Sequence, residues 1–116
     1  MVSGTHEGDD MTEEHRIMNE IRIALSSADC TCFRINVGCG FTPDGRHFET
    51  GVPAGFSDLF GFRNSDGRAF FIEVKTKTGR VSPKQKHFIE AMRSYGAIAG
   101  ICRSADEALL LIKGDM

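Results

Sequence analysis

Two charged residues inside an apolar strand constrain this chain more than any other feature. The run Phe70-Phe71-Ile72-Glu73-Val74-Lys75 has the aromatic and β-branched content of a strand. Its period of two sends Phe70, Ile72 and Val74 to one face and Phe71, Glu73 and Lys75 to the other. Charged side chains are almost never buried unless they are paired or bound to something. Upstream, Asn64-Ser65-Asp66-Gly67 is a strong turn signal between a strand over residues 57–63 and one over residues 68–76. The two form an antiparallel hairpin, and the fourteen residues between Asp58 and Glu73 are enough to bring them together. Two adjacent carboxylates repel each other unless a cation lies between them. A hard cation such as Mg²⁺ takes oxygen ligands and retains several waters. Asp58, Glu73 and the backbone carbonyl of Val74 are expected to supply three oxygens, with Lys75 beside them.

The other elements follow from periodicity and caps. Thr12 to Ala28 reads as a helix: Thr12 is the N-cap, Glu13 and Glu14 fill the first turn, and Ile17, Ile21, Ala24, Leu25 and Ala28 form one apolar face. Glu20 falls at the edge of that face, a position that suits either a site residue or an ordinary surface glutamate. Cys32 to Val37 alternates like a half-buried strand. Residues 38–55 hold five glycines and two prolines and read as a long loop, with a brief strand at Arg46 to Glu49. Ser82-Pro83-Lys84-Gln85 opens a helix through a capping box; it runs to about Tyr95 with Phe88, Ile89, Met92 and Tyr95 inward. Tyr95 and the phenylalanines at 70, 71 and 88 are expected in the core. Residues 97–102 form a short apolar strand, and Ser104 to Glu107 caps a last helix ending near Lys113. The order α-β-β-β-α-β-α predicts an α/β fold, a mixed sheet flanked by helices.

Length and composition fit one soluble domain. The chain has 116 residues, 41% of them hydrophobic and 26% charged, enough for one core without staples. Residues 1–10 are polar and are expected to be a disordered leader before a single domain over 11–116. No apolar run is long enough to span a bilayer and no secretory segment is present, which makes the cytoplasm the expected location. Cys30, Cys32, Cys39 and Cys102 are then expected as free thiols. A zinc site from Cys30, Cys32, Cys39 and His47 would need a spacing that fits no common knuckle or ribbon. The net charge of −2 conceals a basic stripe, Lys75, Lys77, Arg80, Lys84 and Lys86, within a dozen positions. Such a stripe suits a phosphate backbone or, more blandly, a solvated loop and helix face. Arg46 and His47 in the glycine-rich segment are further candidates for contact with DNA.

Gly55-Phe56-Ser57-Asp58 followed by Glu73-Val74-Lys75 resembles the PD-(D/E)XK nuclease core. The continuation Thr76-Lys77-Thr78-Gly79-Arg80-Val81-Ser82-Pro83-Lys84-Gln85 is similar, more narrowly, to the VRR-NUC (virus-type replication-repair nuclease) family, and the likeness extends over roughly residues 14–111. The resemblance implies a restriction-endonuclease-like fold and an Mg²⁺- or Mn²⁺-dependent endonuclease acting on branched DNA as a Holliday junction resolvase-like homodimer. It also implies that Asp58 and Glu73 are metal ligands, that Lys75 is the catalytic lysine, that Glu20 is the first-helix glutamate reaching the metal directly or through water, and that Gln85 is the helix glutamine contacting the site. Lys77, Arg80, Lys84, Lys86 and Arg46 would meet the DNA. One departure is Ser57, where the family often carries proline.

Alternatives stay open at this level. Gln85 is fully accounted for as N3 of a capping box, and both roles are expected to coexist only if its side chain is not turned back onto Ser82. Leu109, Leu110, Leu111 and Ile112 form a run too continuous for one buried face, so the last helix either packs on two sides or contributes to a dimer interface. Two rival functions are a non-catalytic DNA-binding module on the same fold and a flap nuclease or metal-binding subunit of a larger repair complex.

Overall fold

A computed structural model describes residues 12–36, 38–49 and 51–114, together with the backbone but not the side chain of Cys39. The expected leader, residues 1–10, lies outside the described residues. The elements in chain order are α1 (Glu13–Ser27), β1 (Cys30–Arg34), β2 (Cys39–Phe41), β3 (His47–Glu49), β4 (Leu59–Arg63), β5 (Ala69–Val74), α2 (Pro83–Ser94), β6 (Ile98–Cys102) and α3 (Ala105–Gly114). The main sheet has the order β1-β4-β5-β6. Its first three strands are antiparallel, and β6 joins β5 in parallel after the α2 crossover. The fold is the expected mixed sheet flanked by helices. No described helix is long and apolar enough to cross a membrane.

The hairpin β4–β5 has the register Leu59↔Ile72 and Phe60↔Phe71. Leu59, Phe70, Ile72 and Val74 are completely buried and join Ile17, Ile21 and Leu25 of α1 and Ala108 and Ile112 of α3 in one core. Gly61 is required here: a Cβ would lie 1.9 Å from the Thr31 carbonyl and 2.6 Å from the Phe70 ring. On the opposite face, Phe71 meets Phe88 of α2, with ring centroids 5.6 Å apart, and Phe60 at 5.1 Å. Glu73 belongs to this second face.

Helix starts form as expected. The Thr12 hydroxyl accepts from His15 N–H at 3.1 Å, and the Ser104 hydroxyl accepts from Glu107 N–H at 3.1 Å. Three expectations need correction. The first strand spans Cys30–Arg34, shifted toward the N-terminus, because it pairs with β4 through Cys30↔Arg63 and Arg34↔Leu59. Residues 38–55 are not a loop with one brief strand: β2 and β3 pair with each other into a second, two-stranded sheet around the turn at Gly45 (φ 91°). Tyr95 is 81% exposed, not core, since it is the C-cap of α2, where the chain turns away through Gly96. The last helix, α3, packs against both α1 and β6, while its Leu110 is 62% exposed.

Candidate active site

Glu73 is only 2% exposed, in a position where an isolated carboxylate would be strongly disfavoured. Its Oε2 accepts a 2.7 Å hydrogen bond from Gln85 Nε2 and lies 3.7 Å from Lys75 Nζ. Among the described residues its buried Oε1 has no hydrogen-bond partner. Asp58, at the entry to β4, accepts at Oδ2 from the Val74 N–H at 2.9 Å. The hairpin therefore clamps Asp58 to the backbone between Glu73 and Lys75. Burial raises the Glu73 pKa to about 8; the charge of Asp58, a side-chain hydrogen bond with Asp58 that forms when a proton is present, and the charge of Glu14 push it the same way, and Lys75 opposes them. Without a cation the pair therefore holds a proton at neutral pH.

The approach to Asp58 is built on backbone contacts. Gly55 has φ 93°, and a Cβ there would stand 2.8 Å from the Lys84 carbonyl, so glycine lets this segment ride on the first turn of α2. Ser57 is fully buried, and its hydroxyl donates to the Leu59 carbonyl at 2.9 Å. That bond fixes the entry to β4.

Gln85 performs two tasks through one amide. Its Oε1 accepts from Ser82 N–H at 2.9 Å while its Nε2 reaches Glu73. The expectation that capping and site contact exclude each other is corrected, because the two ends of a planar amide serve opposite partners.

The structure does not bring Glu20 to this group. Glu20 is half exposed, with its side chain 50% accessible, and pairs with Arg16 at 2.8 Å. Glu14 stands nearer: it lines the cleft that Asp58 borders and its charge reaches Glu73. Glu20 lies six residues further along α1, displaced about 9 Å along the axis and far around the wheel. A signal for Glu14 was present, since Glu14, Ile17, Met18 and Ile21 follow the i, i+3, i+4, i+7 spacing of a buried face.

Lys77, Arg80, Lys84 and Lys86 are all exposed, and none is ion-paired among the described residues. Arg46 is exposed near the tip of the β2–β3 hairpin and pairs with Asp44 at 3.2 Å. The turn carrying Lys77 is held from below. Arg103 Nη1 donates to the Thr76 carbonyl at 2.5 Å and to the Gly79 carbonyl at 2.9 Å. Sequence reasoning passed over Arg103, whose role depends on the end of β6 meeting the end of β5.

Among the described residues no group of three or more His, Cys, Asp or Glu side chains is arranged to hold a metal ion. Side chains alone offer two carboxylates, which is a donor set for a hard cation that keeps its waters and not for zinc. The unpartnered Oε1 of Glu73 fits such a cation. Cys30, Cys32 and Cys102 are free thiols.

A family model, the VRR-NUC domain, matches residues 11–106. A solved structure described as a VRR_NUC domain superposes with a TM-score of 0.64 at 21% identity, covering 89% of this chain and 97% of the other, which supports the fold. No curated protein matches significantly in sequence. With most of its length matched by that model, the chain belongs to the VRR-NUC domain family and is a nuclease-type, DNA-processing domain.

Proposed function

We propose that this chain is a metal-dependent, structure-specific DNA endonuclease that hydrolyses phosphodiester bonds in branched DNA as a resolvase-like homodimer. The observation that carries this reading is the buried, unpartnered Oε1 of Glu73 in a site that also holds Asp58 and Lys75. Asp58, Glu73 and the Val74 carbonyl are the groups that would hold Mg²⁺ or Mn²⁺, with Glu14 of α1 bordering the same cleft. When bound, such an ion supplies Lewis acidity toward water and phosphate.

The chain's own residues do the positioning. Val74 N–H holds one Asp58 oxygen, so the other is aimed by the strand pair. Gln85 fixes Glu73 Oε2 and leaves Oε1 unfilled. Lys75, with its side chain 13% exposed and 3.7 Å from Glu73, is placed to orient the attacking water and to offset charge developing on the phosphate. Lys77, Arg80, Lys84 and Lys86 extend a basic surface from the end of β5 into α2, suited to the flanking backbone. A domain this small covers little DNA, and two copies related by a two-fold axis match a two-fold junction. The exposed Leu110 of α3 suits that contact.

The test is cleavage of labelled four-way junction, 5′ flap and linear duplex DNA in Mg²⁺, Mn²⁺ or EDTA. Metal-dependent, symmetric cuts in the junction are the expected outcome. Binding without cleavage in any metal would replace this reading with the non-catalytic binding module.

A further inference from the structure

A cleft of about 310 Å³ opens between α1 and the end of β1, and Glu14, Asp58, Arg34, Asn36 and His15 line it. The chain builds it through the sheet edge. Arg34 is the last residue of β1 and pairs with Leu59, next to Asp58. Ile35 N–H then donates to the Asp58 carbonyl at 2.8 Å. The same strand pairing thus fixes both the Asp58 carboxylate and the point from which the Arg34 side chain leaves the sheet.

The cleft is divided by charge. Glu14 and Asp58 bring the acids, and Arg34, with the amide of Asn36, brings donors. Among the described residues the Arg34 guanidinium makes no hydrogen bond and no ion pair, although both carboxylates border the same cleft. The chain's other arginines near the sheet are used structurally. Arg63 Nη1 donates to the Ile112 carbonyl, Arg93 Nε to the Ala99 carbonyl, and Arg103 to the turn after β5. An arginine left with its five donors unfilled at the rim of a site handling phosphodiesters has the planar fork that phosphate oxygens fit.

We infer that Arg34, assisted by Asn36, is a docking subsite for a DNA backbone phosphate next to the scissile one, on the opposite wall of the cleft from Glu14. The inference rests on the nuclease reading for its ligand. The subsite positions the strand and reads no base. Its location is separate from the basic stripe, which follows β5 in sequence, so the two would grip the backbone on either side of Asp58 and Glu73.

The experiment compares wild type with Arg34→Gln and Arg34→Lys, using fluorescence anisotropy with a labelled four-way junction from low to moderate salt, and cleavage at saturating DNA in Mg²⁺. Lys113→Gln, at the far end of α3, is the control. Arg34→Gln should bind about tenfold more weakly, with the slope of log K against log salt reduced by about one. The cleavage rate at saturation should stay within about threefold of wild type, as for a group that binds ground and transition states alike. Arg34→Lys should keep the salt slope but recover only part of the affinity, because a point charge cannot form the fork. The Arg34 side chain has no hydrogen-bond or ion-pair partner among the described residues, so melting temperatures should match. Wild-type affinity and slope in Arg34→Gln would overturn the subsite, as would a lost rate with unchanged binding. If no DNA is cut in any metal but affinity still depends on Arg34, the subsite stands and the nuclease reading falls.

Discussion

Gln85 Nε2 donates to Glu73 Oε2 at 2.7 Å, while the Oε1 of the same amide accepts from Ser82 N–H at 2.9 Å. One side chain thus ties the start of α2 to the most buried acid of the domain. Gln85→Ala removes both bonds and should lower stability by about 1–3 kcal/mol, because Glu73 is left with less compensation. Gln85→Glu retains an acceptor for the capping box but sets a carboxyl against Glu73. It should therefore spare the helix start and still reduce cleavage. Urea unfolding and helix circular dichroism separate the two effects.

The proton on Glu73 has a defined consequence for stability. Its folded pKa of about 8 lies above the ordinary carboxyl value of 4.5, so the native state holds this proton more tightly than the unfolded chain. The stabilisation is full below the unfolded pKa and is lost as pH rises toward 8. In EDTA the urea midpoint should fall between pH 5 and pH 8, and Glu73→Gln should flatten that decline. Added Mg²⁺ should stabilise wild type more at pH 8 than at pH 6. An identical pH profile in wild type and Glu73→Gln would refute the assignment of this proton.

Arg103 supports the turn that carries Lys77, with carbonyls at 2.5 Å and 2.9 Å. Arg103→Ala should cost about 1–3 kcal/mol through the carbonyls it abandons. It should also speed tryptic cleavage after Lys77 and Arg80, and weaken DNA binding. Arg103→Lys should recover part of each. Peptide mapping of a short digestion is the direct readout.

The thiols of Cys30, Cys32 and Cys102 should be inert. Burial pushes Cys32 up to about 11 and Cys102 up to about 12, and it raises Cys30 as well. Since the thiolate is the reactive form, Cys32 and Cys102 should resist iodoacetamide at pH 7.5 in the folded protein and react in urea. Mass spectrometry of the peptides tests this.

Most of the frame could be read from local chemistry. The caps at Thr12 and Ser82, the Asn64–Gly67 turn and the alternation of Phe70 to Val74 each act within a few residues, and they placed α1, α2 and the β4–β5 hairpin. The parity of β5 also placed Glu73 and Lys75 on the face opposite the core. The β2–β3 hairpin was less legible because its strands have three residues each and its segment is rich in glycine, which weakens any strand pattern. Its turn residues, Pro43-Asp44-Gly45, were the available signal. Glu14 was assigned to the helix dipole and so hidden as a cleft residue, while Glu20 drew attention by its place on the wheel. Only the packing of α1 on the sheet decides which turn meets Asp58. Tyr95 satisfied the helical spacing of α2, but it is the C-cap, where the chain turns away through Gly96.

Lys75→Ala provides the most direct test of the site. Its ammonium touches only Glu73 among the described acids, at 3.7 Å, so the variant should fold and still bind DNA. Single-turnover cleavage of a four-way junction in Mg²⁺ should fall by about 10²–10⁴-fold relative to wild type, the loss typical of a positioned catalytic group, with binding nearly unchanged. Cleavage by Lys75→Ala at the wild-type rate would contradict the account and move the chemistry away from Asp58, Glu73 and Lys75.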